Sequence, residues 1–302
     1  MKLTPYTPDR ATAAIGSLSG LIITGFPERE YHARPEVSTH DAMKLLTAPA
    51  KYRHSKLHPE EPTKAMQLGT ALHTLLFEPE RWTHRVAVVP ADAPKRPTSA
   101  QVNAKKPSDD TLAAIDWWAN FNHDAFGKIV IDQDTAEEML ARVETIDTDP
   151  DASKELRDVI AVEVAIFWID PETGVPRRGR PDQLRAPNTV DDLKSTANAS
   201  AVAFSNDAQK YGYFIQSADY TDALEILTGE PWRFRWIAAE SEAPWLCPVY
   251  ECPPEGIDLG RKRRVEALTA WKRATESGAW SGYQTGVHQL LPPVWAMREA
   301  NL

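Results

Sequence analysis

Asp182 is followed ten residues later by Asp192, with Lys194 two places further on, in the run GRPDQLRAPNTVDDLKST. Side chains alternate along a strand at ~3.3 Å per residue, so on a strand Asp192 and Lys194 share a face roughly 6.6 Å apart and Asp191 points away. A hairpin that folds Asp182 back beside Asp192 then gathers two carboxylates and an ammonium at one point. That set suits a hard divalent cation, because Mg²⁺ takes oxygen ligands and keeps several waters. A bound metal polarises a phosphoryl oxygen and lowers the pKa of a water, while a nearby lysine orients that water or steadies developing negative charge. Phosphodiester hydrolysis uses all of these functions. The plainer reading of the three residues taken alone is a surface Asp–Lys pair on a strand.

Other residues could serve the same chemistry. His73 falls among Met66, Leu72, Leu75, Leu76 and Phe77 at helical spacing, so it is expected to point inward, where a histidine needs partners for its ring nitrogens. Gln216 and Tyr220 are four apart and share one face of a helix. Arg178 and Arg180 alternate on the strand leading to Asp182, and with Lys105, Lys106, Arg261 and Arg264 they are candidate phosphate-gripping cations. Arg261 and Arg264 are three apart on one helical face.

The elements that must position these groups follow from periodicity and punctuation. Ser38 with Asp41 caps a helix that Pro49 ends or bends, and a second helix over 63–77 stops at Pro79. Residues 90–109 lack an apolar period and read as a surface loop, followed by helices over 110–126 and 135–146. The β-branched run VIAVEVAIFWID predicts a strand, and 175–185 and 189–196 two more. Helices over 199–210 and 213–228, late strands in PWRFRWIAAES and PWLCPVYECP, and a helix over 259–276 complete the order. A mainly helical part over 1–150 thus precedes a β-rich core over 159–251 and a helical extension over 252–302, read together as one domain.

Composition bounds the function. The chain has 302 residues, 42% hydrophobic and 25% charged, which excludes a disordered or rod-like protein. Its net charge of -9 argues against a general nucleic-acid coat, though a confined cationic track can bind phosphates on an acidic protein. The 2 cysteines, Cys247 and Cys252, are too few for a disulfide framework, which points to reduced thiols and a cytoplasmic setting. Residues 15–26 are cut by glycines and serines, unlike a signal peptide, and no stretch approaches the ~20 apolar residues of a membrane helix. No G-x-x-x-x-G-K-[ST] occurs, so no ATP motor is expected.

Pro181-Asp182 followed by Asp192-Leu193-Lys194 resembles the PD-(D/E)XK nuclease superfamily. More narrowly, EVAIFWIDPETGVPRRGRPDQL, with GTALH upstream and QSADY downstream, is similar to the RecE-type exonuclease domain of exodeoxyribonuclease VIII, in the branch of RecB and lambda exonuclease. The resemblance spans about residues 30 to 250. It implies a mixed α/β (α+β) fold with a restriction-endonuclease-like core, a central mixed sheet flanked by helices, and an N-terminal helical region. It makes Asp182, Asp192 and the Leu193 carbonyl metal ligands and Lys194 the catalytic lysine. It brings His73 to the metal, lets Glu163 join the metal shell, and sets Gln216 and Tyr220 in the active site, contacting DNA or ordering water.

The activity so implied is a Mg²⁺-dependent exodeoxyribonuclease, with Mn²⁺ as a substitute metal, that resects double-stranded DNA from a free end. A single-strand annealing protein as partner and assembly into a homo-oligomeric ring belong to the same implication. Two other readings compete: a Cas4-like or RecB-like nuclease of different preference, against whose cluster-binding members the cysteine count weighs, and a non-catalytic DNA-binding or assembly module on the nuclease fold.

Overall fold

A computed structural model describes residues 1–299, and the last three residues of the expected 252–302 extension lie outside the described residues. Its strands are β1 (Leu3–Pro5), β2 (Leu21–Thr24), β3 (Val86–Val89), β4 (Ile129–Asp132), β5 (Val159–Val162), β6 (Ala165–Ile169), β7 (Pro176–Gly179), β8 (Gln183–Arg185), β9 (Thr189–Thr196), β10 (Arg233–Glu240) and β11 (Val249–Glu251). They form a five-stranded sheet ordered β11-β10-β9-β8-β5, a four-stranded sheet ordered β1-β2-β6-β7, and a β3-β4 pair. In the larger sheet β9 and β10 are parallel and the other pairings antiparallel. The fold is therefore the expected mixed α/β arrangement, sheets flanked by helices.

The central strand β9 is covered on both faces, which fits its β-branched and apolar content. On one face Leu193 packs with Ile237 and Ala239 of β10 against Leu72 and Phe77 of the Lys64–Phe77 helix and Ile146 of the Gln133–Thr148 helix. On the other, Val190, Phe234 and Trp236 pack with Tyr220 and Leu224 of the Tyr213–Thr228 helix. Taking each such Leu or Phe side chain out of water contributes about 1.5–3 kcal/mol. The alternation along β9 thus sends Leu193 to one layer and Asp192 with Lys194 to the other.

Two expected strands are each divided. The run over 159–170 breaks between β5 and β6 at Glu163, whose φ is +50°, and the run over 175–185 breaks between β7 and β8 around Pro181. Proline donates no ladder hydrogen bond, and a non-glycine residue at positive φ turns the chain out of a strand. β5 pairs with β8 while β6 pairs with β7, so both chains leave the five-stranded sheet for the four-stranded one at the same level. The Glu163 amide donates to the Asp182 carbonyl at 2.9 Å across that seam.

The helices agree closely with expectation. Ser38 and Asp41 form a reciprocal capping box before Thr39–Thr47, and Pro49 opens the next helix, Pro49–Leu57, where its missing N–H costs nothing. The expected 90–109 loop contains one helical turn, Ser99–Val102. The N-terminal part is less uniformly helical than expected, because β1 to β4 lie within it; strands of three or four residues are too short to show a period. Among the described residues no helix is long and apolar enough to cross a membrane.

The long helix Pro254–Ser277 packs on the Tyr213–Thr228 helix through glycines, and a short helix, Val294–Glu299, follows it. A Cβ on Gly260 would stand 1.9 Å from the Phe214 carbonyl oxygen, so the two backbones approach as only glycine permits. Gly260→Ala is expected to cost about 1–3 kcal/mol through this overlap. A lower urea midpoint at unchanged slope would show it, and an unaltered midpoint would refute it.

Candidate active site

The seam between the sheets is the floor of a cleft of about 470 Å³ bordered by His32, Thr70, His73, Glu163, Arg180 and Lys194. His73 projects into it from the Lys64–Phe77 helix, pointing inward as its spacing predicts, and its side chain keeps 25% exposure. Its Nε2 lies 3.1 Å from the Leu193 carbonyl oxygen, an acceptor only, so this nitrogen carries the hydrogen and donates. Nδ1 faces the carboxylates, 3.4 Å from Asp182 Oδ2 and 4.0 Å from Glu163 Oε1. One ligand atom from each of His73, Glu163 and Asp182 falls within 4.8 Å of the others, spacing that a single cation can bridge.

Asp192 and Lys194 stand beside this cluster. Asp192 is fully buried; its Oδ2 is 2.5 Å from Lys194 Nζ and its Oδ1 accepts from Gln216 Nε2 at 2.9 Å. Lys194 Nζ also lies 4.7 Å from the centre of the Tyr213 ring. Burial opposes the lysine's charge, but the Asp192 and Asp182 carboxylates outweigh it and hold the ammonium above its ordinary pKa. Asp191 points away, as expected, and is tied to Arg185 and Gln183.

Asp182 is the strained member. Burial first, then the negative charges of Asp192 and Glu163, push its carboxyl up to about 7 against the pull of His73 and Lys194. Its Oδ2 accepts from the Leu193 amide at 2.8 Å. A cation would relieve this crowding of carboxylates, and the donor set of carboxylate oxygens, a backbone carbonyl and one imidazole fits a divalent ion of the Mg²⁺ or Mn²⁺ class.

An acid whose folded pKa exceeds its unfolded value lowers stability as pH rises between the two and leaves it low above both. Asp182→Asn is therefore expected to raise the metal-free melting point at pH 8 by ~2–4 °C for each kcal/mol relieved, and to lose that advantage near pH 4. Melting curves in a chelator at the two pH values check it; an equal or lower midpoint at pH 8 would count against it.

Residues 42–287 match the family model of a PDDEXK-like domain of unknown function (DUF3799). The chain belongs to that family. The crystal structure of a candidate exonuclease from Eubacterium rectale aligns with TM-score 0.57 at 12% identity, over 91% of this chain and 96% of that one, a likeness of fold. An alkaline exonuclease from Laribacter hongkongensis is 18% identical over 67% of this chain and 100% of its own, with a TM-score of 0.25 that carries no argument. No curated protein matches the chain.

Within this PDDEXK-like frame, several expected site residues have other work. Tyr220 is buried and its hydroxyl accepts from the Arg180 amide at 3.2 Å, which supports the turn before Asp182. Arg178 is buried too, donating to the carbonyls of Glu36 and Tyr31 at 2.9 and 3.0 Å, so it braces the N-terminal segment instead of gripping phosphates. Arg180 does line the cleft, held by Glu163 at 2.6 Å.

Arg264 is 2% exposed and enclosed by Asp170 at 3.0 Å and Asp222 at 2.8 Å, which removes it from any phosphate track. Arg261 shares Asp222 at 2.7 Å and pairs with Asp258, so its charge is largely spent. The shared helical face of these two arginines is real, but it faces acidic residues of the protein. Lys105 and Lys106 are exposed. Sequence reasoning missed His32, Arg85 and Thr70 at the cleft rim; no local pattern marks the first two, while Thr70 stands in the GTALH segment, three residues before His73 on the same helical face.

Proposed function

We propose that this chain is a divalent-metal-dependent exodeoxyribonuclease of the RecE type, a single nuclease unit that degrades linear duplex DNA from an end to expose a strand for recombination. The observation that carries the reading is the meeting of His73, Glu163 and Asp182 beside the Asp192–Lys194 pair on one cleft floor. Asp182, Asp192 and the Leu193 carbonyl, with Glu163 and His73 beside them, would hold the cation. When bound, such a cation polarises the phosphoryl oxygen and lowers the pKa of a water. Lys194 keeps its ammonium where negative charge develops on the phosphorus-bound oxygens, and Gln216 fixes the Asp192 carboxylate that positions it. Water oxygen bonds to phosphorus, one ester P–O bond breaks, and the leaving oxygen takes up a proton.

Arg180 and Arg85 on the cleft wall, each already paired with a carboxylate, and exposed Lys105 and Lys106 are cations that would attract the backbone of an acidic protein's polyanionic substrate. A single-strand annealing protein as partner, a ring of identical subunits and a cytoplasmic setting follow from the RecE-like motifs and belong to the same proposal. The test incubates end-labelled linear and circular duplexes with Mg²⁺ or with chelator. Loss of label from linear DNA alone, abolished by chelator, is the expected result. Nicking of the circle at a similar rate would overturn end dependence, and hydrolysis in chelator would overturn the metal.

A further inference from the structure

Beside the catalytic cleft lies a second cavity of about 320 Å³ between the Gln133–Thr148 helix and the end of β9. Gly69 and Ser195 line both spaces, so the two adjoin, and a Cβ on Gly69 would meet nothing within 4 Å. Arg142 lines the second cavity. It is 8% exposed, and burial pulls its pKa below the ordinary arginine value. Its Nη2 donates to Ser195 Oγ and to the Ala239 carbonyl, both at 3.3 Å, while Nε is buried without a hydrogen-bond partner. No carboxylate pairs with it among the described residues.

With no carboxylate in salt-bridge contact and only the exposed Glu138 acting on it through space, this buried guanidinium is costly to hold. The wall around it includes Thr135, Ser195, Thr196 and Ser241 and a single carboxylate, the exposed Glu138; the Thr196 hydroxyl is turned to Asn198 and Asp207. A guanidinium with serine and threonine hydroxyls on the same wall is a donor set matched to phosphate oxygens.

The geometry points to this cavity as a phosphate subsite, centred on Arg142, that holds a phosphate group of the bound nucleic-acid strand, terminal or internal, next to the one being hydrolysed. The inference rests on the nuclease reading for its ligand, but Arg142 lies outside the cluster assigned to the metal and the reacting phosphate.

The test measures affinity of the metal-free full chain for duplexes bearing 5′-phosphate, 3′-phosphate or hydroxyl ends across a salt series, and the effect of inorganic phosphate on thermal unfolding. Arg142→Gln is expected to weaken DNA binding about tenfold and to lower the slope of log affinity against log salt by about one. It is also expected to erase the stabilisation by inorganic phosphate over chloride. Glu138→Gln, on the exposed rim, is expected to strengthen both, which keeps the proposal testable if Arg142→Gln does not fold. A loss confined to one phosphorylated end identifies a terminal phosphate, and an equal loss on all ends identifies an internal one. Unchanged slopes and affinities in both variants overturn the subsite. If the wild type binds no DNA, the nuclease reading fails, and the inorganic-phosphate arm alone then decides whether Arg142 holds an anion.

Discussion

Asp192→Asn and Lys194→Ala are each expected to lower Mg²⁺-dependent DNA hydrolysis by about 10²–10⁴-fold while the folded state survives. The two groups touch at 2.5 Å on one strand face, and Asp192 is held from its other side by Gln216. Asparagine keeps an oxygen for the Gln216 amide but withdraws the charge that stabilises the ammonium, so chemistry fails and packing does not. Lys194→Ala leaves the buried Asp192 uncompensated and should be the less stable of the pair. Rates per folded molecule, taken with melting curves, separate these effects. Near-normal turnover by either variant would remove this strand from the active site.

The largest effect on stability is expected at Asp219. It is fully buried between Arg177, at 2.5 Å and fully buried itself, and Thr39, with Arg264 at 3.8 Å. Asp219→Ala leaves the Arg177 guanidinium enclosed without its anion, which costs about 3–5 kcal/mol, a large part of a domain's total stability. Arg261→Ala, at the wet end of the same network, should cost no more than about 1 kcal/mol. Urea unfolding of the two variants checks the contrast; equal midpoints would show that the interior charges are not coupled as their distances indicate. Neutralising Arg261 and Arg264 together therefore reads out in stability and not in the salt dependence of DNA binding.

The candidate-site strand was legible because its pattern is local: Asp192, Leu193 and Lys194 are consecutive, and β9 begins and ends where the alternation indicates. The spacing points His73 inward and the resemblance points it toward a metal, but an apolar helical stripe does not reveal that its histidine stands opposite a gap between two sheets. That gap is produced by Glu163 at positive φ and by Pro181, each a local feature whose consequence depends on which strand pairs with which. The cationic residues misled for the same reason. Arg178 and Arg264 look like surface charges in the sequence, and only tertiary packing places backbone carbonyls around the first and carboxylates around the second. Arg142 carried no signal, since its isolation is a property of what fails to reach it.

Glu163 and Asp182 stand where the chain crosses from one sheet to the other, and His73 comes from a helix packed on the five-stranded sheet. A cation shared by them would act as a rivet through a joint, adding to the Glu163–Asp182 and His73–Leu193 hydrogen bonds already across it. Slippage along that joint spreads these ligands apart first and leaves Asp192 and Lys194, neighbours on one strand, still in register. Loosened forms of this molecule should therefore lose their grip on metal while their lysine remains in place, so that the cation reports on the closure of the two sheets as well as on chemistry.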